Sequence, residues 1–162
     1  MDRWLIYLHV LFAFLFVISH GASAAVAFQV RKEKNLERMR ALLELSTSSL
    51  LVMYVGLLGL LITGIVAGFV RDAWGRGWIW ASLALLIVVA TLMSIRGSLY
   101  YGKLRQAAGM EWFDGRKAQP AVAPASDAER AALLNSRRPE EIAAIGGIGF
   151  ALMLWLMMFR PF

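Results

Sequence analysis

The chain is predicted to fold as an all-α, four-helix transmembrane bundle, up-down in topology, with both termini on the non-cytoplasmic side. Three observations predict it. Four stretches carry no formally charged side chain: Trp4 to Val30, Leu45 to Val70, Trp78 to Ile95 and Ile142 to Phe159. Each reaches or nears the roughly 20 apolar residues that a helix needs to cross the hydrocarbon layer. A content of 59% hydrophobic residues and a mean hydropathy of +0.61 leave too little polar surface to cover a water-soluble globule of 18.0 kDa. Finally, the basic residues are lopsided. Of the 17 Lys and Arg, only Arg3, Arg71, Arg76 and Arg160 flank the outer ends of the spans, and the others lie in the two segments between spans one and two and between spans three and four. Basic excess marks the cytoplasmic side. The net charge of +6 is thereby read as a topology signal.

Residues 1–162 are read as one integral membrane domain, with spans at about 4–30, 45–70, 78–95 and 142–159 and a cytoplasmic connector at 106–138. The apolar runs are continuous, whereas barrel strands would be segments of about ten residues with alternating polarity. Cysteine is absent, which excludes disulfides, thiolate metal sites and cysteine nucleophiles. The basic segments lack the glycine-aromatic signatures of nucleic-acid modules. The expected partners are therefore the lipid bilayer and, through helix packing, a second copy or a larger membrane complex, with no nucleic acid.

Span one ends in Ala22-Ser23-Ala24, which fits a signal-cleavage pattern. Its apolar run is longer than a typical signal core and continues to Val30, so it is read as a retained span. The segment Arg31 to Glu44 places Leu36, Met39, Leu42 and Leu43 at helical spacing and is expected to extend helix two beyond the membrane, with Glu33 and Arg40 as an ion pair in a frayed turn. Ser46, Thr47, Ser48 and Ser49 then offer hydroxyls to the preceding turn or to a neighbouring helix. The short turn Arg71 to Gly77 forces helices two and three antiparallel. Trp74, Trp78 and Trp80 suit an outer aromatic belt, with Trp4, Tyr7 and Trp155 at the same level, and Tyr100 and Tyr101 mark the inner boundary.

Gln119 to Ala125 is a Pro/Ala linker expected to be extended and mobile. Ser126 and Glu129 have capping-box spacing, so a short helix is expected over Asp127 to Asn135. Pro139, Glu140 and Glu141 suit the first turn of the last helix. Gly21 with Ala25, Gly56 with Gly59, Gly64 with Gly68, and Gly146, Gly147 and Gly149 stand at intervals that let helix backbones approach. They are read first as packing grooves within the chain, with Gly64 and Gly68 as the alternative homodimer face.

The candidate binding residues are the two histidines of span one, His9 and His20. Eleven residues of helix separate them by about 16 Å and a net turn of roughly 20 degrees, so they share one face. An imidazole in hydrocarbon needs a donor, an acceptor or a metal, and neutral imidazole is a standard axial ligand of haem iron. One small metal ion cannot reach both at that separation. A haem b would take one of them as axial ligand, with the second ligand from a methionine, another protomer or a partner. The other reading is a histidine bonded to a hydroxyl or carbonyl across the bundle. No carboxylate lies within the spans except Glu44 at the edge of span two, which leaves no acid and base pair. Ser19 and His20, adjacent on a helix, point about 100 degrees apart and form no triad.

The stretch Leu8-His9-Val10, the charged turn that follows span one, and Gly56 to Gly64 (GLLGLLITG) resemble a family of bacterial integral membrane proteins of unknown function. That family is similar to the copper-resistance D proteins and to the haem-linked membrane protoporphyrinogen oxidases. The resemblance covers residues 4 to 100. On the oxidase side it implies that His9 is an axial haem ligand and that helix three supplies a functional lysine. Trp78 to Ile95 contains no lysine, and Arg96 follows at its inner end. On the copper side it implies metal handling, with methionines such as Met153, Met157 and Met158 as soft donors or core filler. The expected location is the bacterial inner membrane. The expected function is a non-catalytic bundle or small subunit of a membrane complex, with a haem-binding redox or haem-metabolism protein and a copper-handling protein as alternatives.

Overall fold

The structure is a computed structural model that describes residues 2–162, so Met1 of the expected domain lies outside the described residues. Four long helices dominate it: α1 (Asp2–Val30), α2 (Leu36–Val70), α3 (Gly77–Ala107) and, after a short α4 (Asp127–Leu134), α5 (Arg138–Phe159). The long helices are each apolar and long enough to cross a membrane, with mean hydropathy of 2.0 to 2.5 over their best windows. They run up and down as a bundle. At about 1.5 Å per residue, α5 just spans a hydrocarbon layer about 30 Å thick, whereas the other three overrun it. The protein is a multi-pass, four-helix membrane bundle.

Helix α1 packs along α2 and α3 packs along α5, with lighter α1–α5 and α2–α3 contacts joining the two pairs. The largest buried apolar cluster is not at mid-membrane. It joins Val26 and Val30 of α1, Met39 and Leu43 of α2, Tyr100 and Leu104 of α3, Leu134 of α4 and Ile142 of α5, all at the end of the bundle that carries the long connector. Water drives apolar burial only where water is present, and lipid tails solvate the remaining spans as well as a neighbouring helix does. Helix ends that overrun the membrane therefore collect the conventional core.

The turn between α1 and α2 is held by Glu33, whose carboxylate accepts from the Lys34 and Asn35 N–H groups at 3.0 and 2.9 Å. Asn35 in turn caps α2 by accepting from Arg38 N–H at 3.0 Å. The expected Glu33–Arg40 pair is not formed. Glu33 is occupied by the turn, and Arg40 pairs with Glu37 at 2.7 Å, three residues away on the same helical face.

At the opposite end Asp72 adopts a left-handed conformation (φ 48°), and Ala73 N–H donates to the Gly68 carbonyl at 2.9 Å, turning the chain sharply into α3. Trp74 packs tilted against Phe69 and Trp80, with centroids 5.2 and 5.5 Å apart, and Trp80 Nε1 donates to the Trp74 carbonyl at 2.9 Å. The guanidinium of Arg160 stands 5.7 Å over the Trp78 ring. Trp4 is 72% exposed, as an interfacial anchor on the outside of a bundle would be.

Helix α3 continues well past Ile95. Its extension buries Tyr100, Leu104 and Ala107, and the first two supply the α3 share of the apolar cluster. The connector then forms a small antiparallel hairpin, β1 (Trp112–Phe113) with β2 (Ala118–Gln119), in the register Trp112 to Gln119 and Phe113 to Ala118. The Phe113 carbonyl lies directly on Gly102 of α3, where any Cβ would collide with it. The segment after β2 has no regular secondary structure, and its far end is fastened: Ala125 N–H donates to the Ala107 carbonyl at 3.0 Å, and Pro124 lies against Gly109. Helix α4 opens with the reciprocal Ser126–Glu129 capping box, and α5 with Pro139, Glu140 and Glu141 in its first turn.

Candidate functional site

The face of α1 that carries the histidines meets α2 along a seam in which each α1 side chain sits on a small residue. Phe12 covers Gly59 and Phe16 covers Gly56, where an added Cβ would lie 2.8 Å from the Phe16 backbone nitrogen. His9 covers Gly64, and its Nδ1 is 2.9 Å from Thr63 Oγ1. Thr63 donates its single hydroxyl proton to the Gly59 carbonyl at 2.6 Å, so its oxygen is the acceptor toward His9. The network thus assigns the proton of His9 to Nδ1 and leaves Nε2 with a free lone pair.

His20 has different surroundings. Its ring stacks on Phe16 with centroids 5.7 Å apart and planes 7° from parallel. Its Nε2 faces α5, where a Cβ on Gly146 would stand 2.9 Å away and 3.6 Å from Met93 Cε. His20 forms no hydrogen bond among the described residues. The two histidines therefore share a helix face, as their spacing requires, but face different neighbours, α2 for His9 and α5 for His20. Among the described residues, no three of His, Asp and Glu gather at metal-ligand distances.

One turn further along α1, three hydroxyls join three helices. Ser46 of α2 lies 2.8 Å from Ser23 Oγ, Ser23 Oγ donates to Tyr101 Oη of α3 at 3.3 Å, and Tyr101 returns its proton to the Ser23 carbonyl at 2.5 Å. Every hydroxyl proton has an acceptor if Ser46 is the donor to Ser23. Bonds of this kind within a membrane contribute about 0.6 kcal/mol on average and up to about 2. Thr47, Ser48 and Ser49 bond back to their own helix as expected.

At the connector end, ion pairs run between helices. Arg31, just past the end of α1, pairs with Glu140 of α5 and also donates to the Leu134 carbonyl at 3.0 Å. Arg96 of α3 pairs with Glu141 of α5 at 2.8 Å, and Arg105 of α3 reaches Glu44 of α2 at 3.2 Å and Thr47 at 3.0 Å. Glu44, the only carboxylate at the edge of the α2 span, is thus a structural partner. These pairs are partly exposed, so each contributes no more than about 1 kcal/mol, and their effect is to set how the helices are placed against one another. Comparison of the chain with protein-family models, with curated proteins and with solved structures finds no match.

The glycine readings divide. Gly64 and Gly68, the alternative dimer face, are both occupied from within the chain, by His9 and Trp74. Gly56, Gly59, Gly146 and Gly149 also pack internally. Gly21 and Gly147, expected to pack inside, have nothing within 4 Å of an added Cβ. The reason is geometric: Gly21 and Ala25 lie on the face of α1 away from both α2 and α5, and Gly147 is turned about 100 degrees from Gly146.

Proposed function

We propose that this protein is a non-catalytic helical bundle that associates through its membrane faces, with a second copy or as a small subunit of a larger membrane complex, in the bacterial inner membrane with both termini outside. The observation that carries this reading is the pair of small-residue faces turned outward, Gly21 with Ala25 on α1 and Gly147 with Ala151 on α5. Such faces let another helix backbone approach closely. The helix-to-helix bonds of His9 with Thr63 and of Ser23 with Ser46 and Tyr101 support it as well. The test is native mass measurement in mild detergent, with Gly21→Leu and Gly147→Leu variants. The expected result is a species heavier than one chain that one or both variants return to monomer. A wild-type chain that stays monomeric alone and is recovered from native membranes without a companion subunit contradicts the reading.

A second reading, a haem b protein, draws on His9. Its Nδ1 proton is held by Thr63 and its Nε2 is left as a donor of electrons, which is how protein-bound imidazoles that ligate metals are oriented. The ring would hold haem iron axially, and haem would supply one-electron redox chemistry. His20, with Nε2 against Gly146 of α5, is the weaker ligand. Oxidised and reduced absorption spectra of protein from haem-replete cells test the haem reading. A Soret band lost in His9→Ala supports it and its absence contradicts it, while metal analysis of the same sample tests copper.

A further inference from the structure

A cleft of about 220 Å³ opens at the connector end between α3 and the corner where α4 meets α5. Its polar lining consists of Arg96, Lys103 and Arg138 together with Tyr100 and Ser136. Both hydroxyls are unusual. Tyr100 Oη and Ser136 Oγ are buried with no hydrogen-bond partner, and Tyr100 as a residue is only 6% exposed. Leaving such a group unpaired costs about 1–3 kcal/mol, and here two of them belong to residues that line the same small space. Among the cations, Arg96 is matched by Glu141, and Glu140 is taken by Arg31, whereas Lys103 and Arg138 form no ion pair among the described residues. The cleft thus combines two unmatched positive charges with two unpartnered hydroxyls buried in its wall, beside the first residue of α5, where helix N–H groups add positive potential.

A ligand that satisfies this lining must accept hydrogen bonds from several directions and carry negative charge. A tetrahedral phosphate does both. We propose that the cleft binds a phosphate group, carried either by an anionic phospholipid headgroup or by a soluble phosphate. Lys103 and Arg138 neutralise it, and Tyr100 and Ser136 donate to its oxygens. The volume is below the roughly 300 Å³ at which pockets for whole drug-sized molecules begin, which suits a headgroup rather than an entire lipid. The helix face leading to it from mid-membrane also suits a lipid. Leu92, Ile95 and Leu99 are exposed at 39%, 56% and 44%, stand at i, i+3 and i+7, and bring an apolar track to Lys103 one turn later. Acyl chains along that track would place their phosphate at the cleft, as in basic pockets between membrane helices that hold anionic headgroups.

The test uses the full chain in vesicles of equal phosphatidylglycerol and phosphatidylcholine, released for native mass spectrometry. The expected result is preferential retention of phosphatidylglycerol, falling about fivefold for each charge removed in Lys103→Gln and Arg138→Gln and about threefold to tenfold in Tyr100→Phe. Lys34→Gln with Arg38→Gln, an equal charge loss where α1 turns into α2 and at residues that do not line the cleft, is expected to leave the preference intact. In lipid-free neutral detergent, inorganic phosphate is then added against chloride of the same ionic strength. Thermal stabilisation that needs Lys103 and Arg138 assigns the site to a soluble phosphate, and lipid retention without such stabilisation assigns it to a headgroup. Tyr100→Phe keeps every charge, so it decides the matter if the charge variants lose their helical circular dichroism. The proposal is overturned if neither phosphate source binds preferentially, if binding ignores the cleft variants, or if the Lys34 and Arg38 variant abolishes it equally.

Discussion

Thr63 is a single hydroxyl that serves two functions: it returns its proton to the Gly59 carbonyl and accepts from His9 Nδ1. Thr63→Val preserves the shape but strands that N–H in the membrane, and the expected loss is about 1–3 kcal/mol of stability, read by denaturant unfolding in detergent. In a His9→Leu background the same change should cost much less, because the unpaired group is gone. The spacing of His9 and His20 was enough to read their common face and to name a cross-bundle hydroxyl as one partner. It could not show that they face different helices, since that depends on where α5 crosses α1. The glycines make the same point. Gly56 and Gly21 look alike in sequence, yet a Cβ on Gly56 meets the rigid backbone of Phe16 and one on Gly21 meets open space. Gly56→Ala is expected to destabilise by about 1–3 kcal/mol. Gly21→Ala is expected to be neutral or to stabilise by about 0.5–1 kcal/mol, the helical penalty of glycine. Parallel unfolding curves of the two variants check the contrast.

At the scale of elements, legibility followed the strength of local signals. The four spans announced themselves by uninterrupted apolarity, α4 by its capping box and α5 by Pro139. The hairpin gave no such signal, because two strands of two residues carry no periodicity, and its position depends on the bare surface of Gly102. It does have a local clasp. Asp114 accepts from the backbone N–H groups of Lys117 at 2.8 Å and Arg116 at 2.7 Å and from the Gln119 side chain at 2.7 Å, and these bonds hold its carboxyl below the usual carboxylate range. A depressed folded value means that the clasp contributes above the unfolded carboxylate value near pH 4 and is lost as pH falls through the lower folded one. Slowed amide exchange at Arg116 and Lys117 is therefore expected above about pH 4, disappearing at lower pH. In Asp114→Asn the pH dependence should be lost. Protection factors at these two amides, each rate divided by the intrinsic rate at its own pH, that are equal at about pH 2 and about pH 6 in the wild type would contradict the clasp.

For the whole molecule, the hydrophobic runs contained the architecture, and the structure adds how the ends are tied. Arg31, Arg96 and Arg105, counted in the sequence among the markers of one side, turn out to be the residues that join the end of α1 to α5, α3 to α5 and α3 to α2. The phosphate cleft was equally invisible, since Tyr100, Lys103, Ser136 and Arg138 come together only when α3 and α5 pack. All of it rests on the four helices crossing a bilayer in alternating directions. The absence of native cysteine makes that directly measurable by single-cysteine labelling of intact cells with a membrane-impermeant maleimide. Gly75→Cys in the open turn after α2 and Phe162→Cys at the C-terminus should both react from outside, and Ala121→Cys in the connector only after the membrane is permeabilised. Gly75→Cys and Ala121→Cys reacting from the same face of an intact membrane would contradict the account.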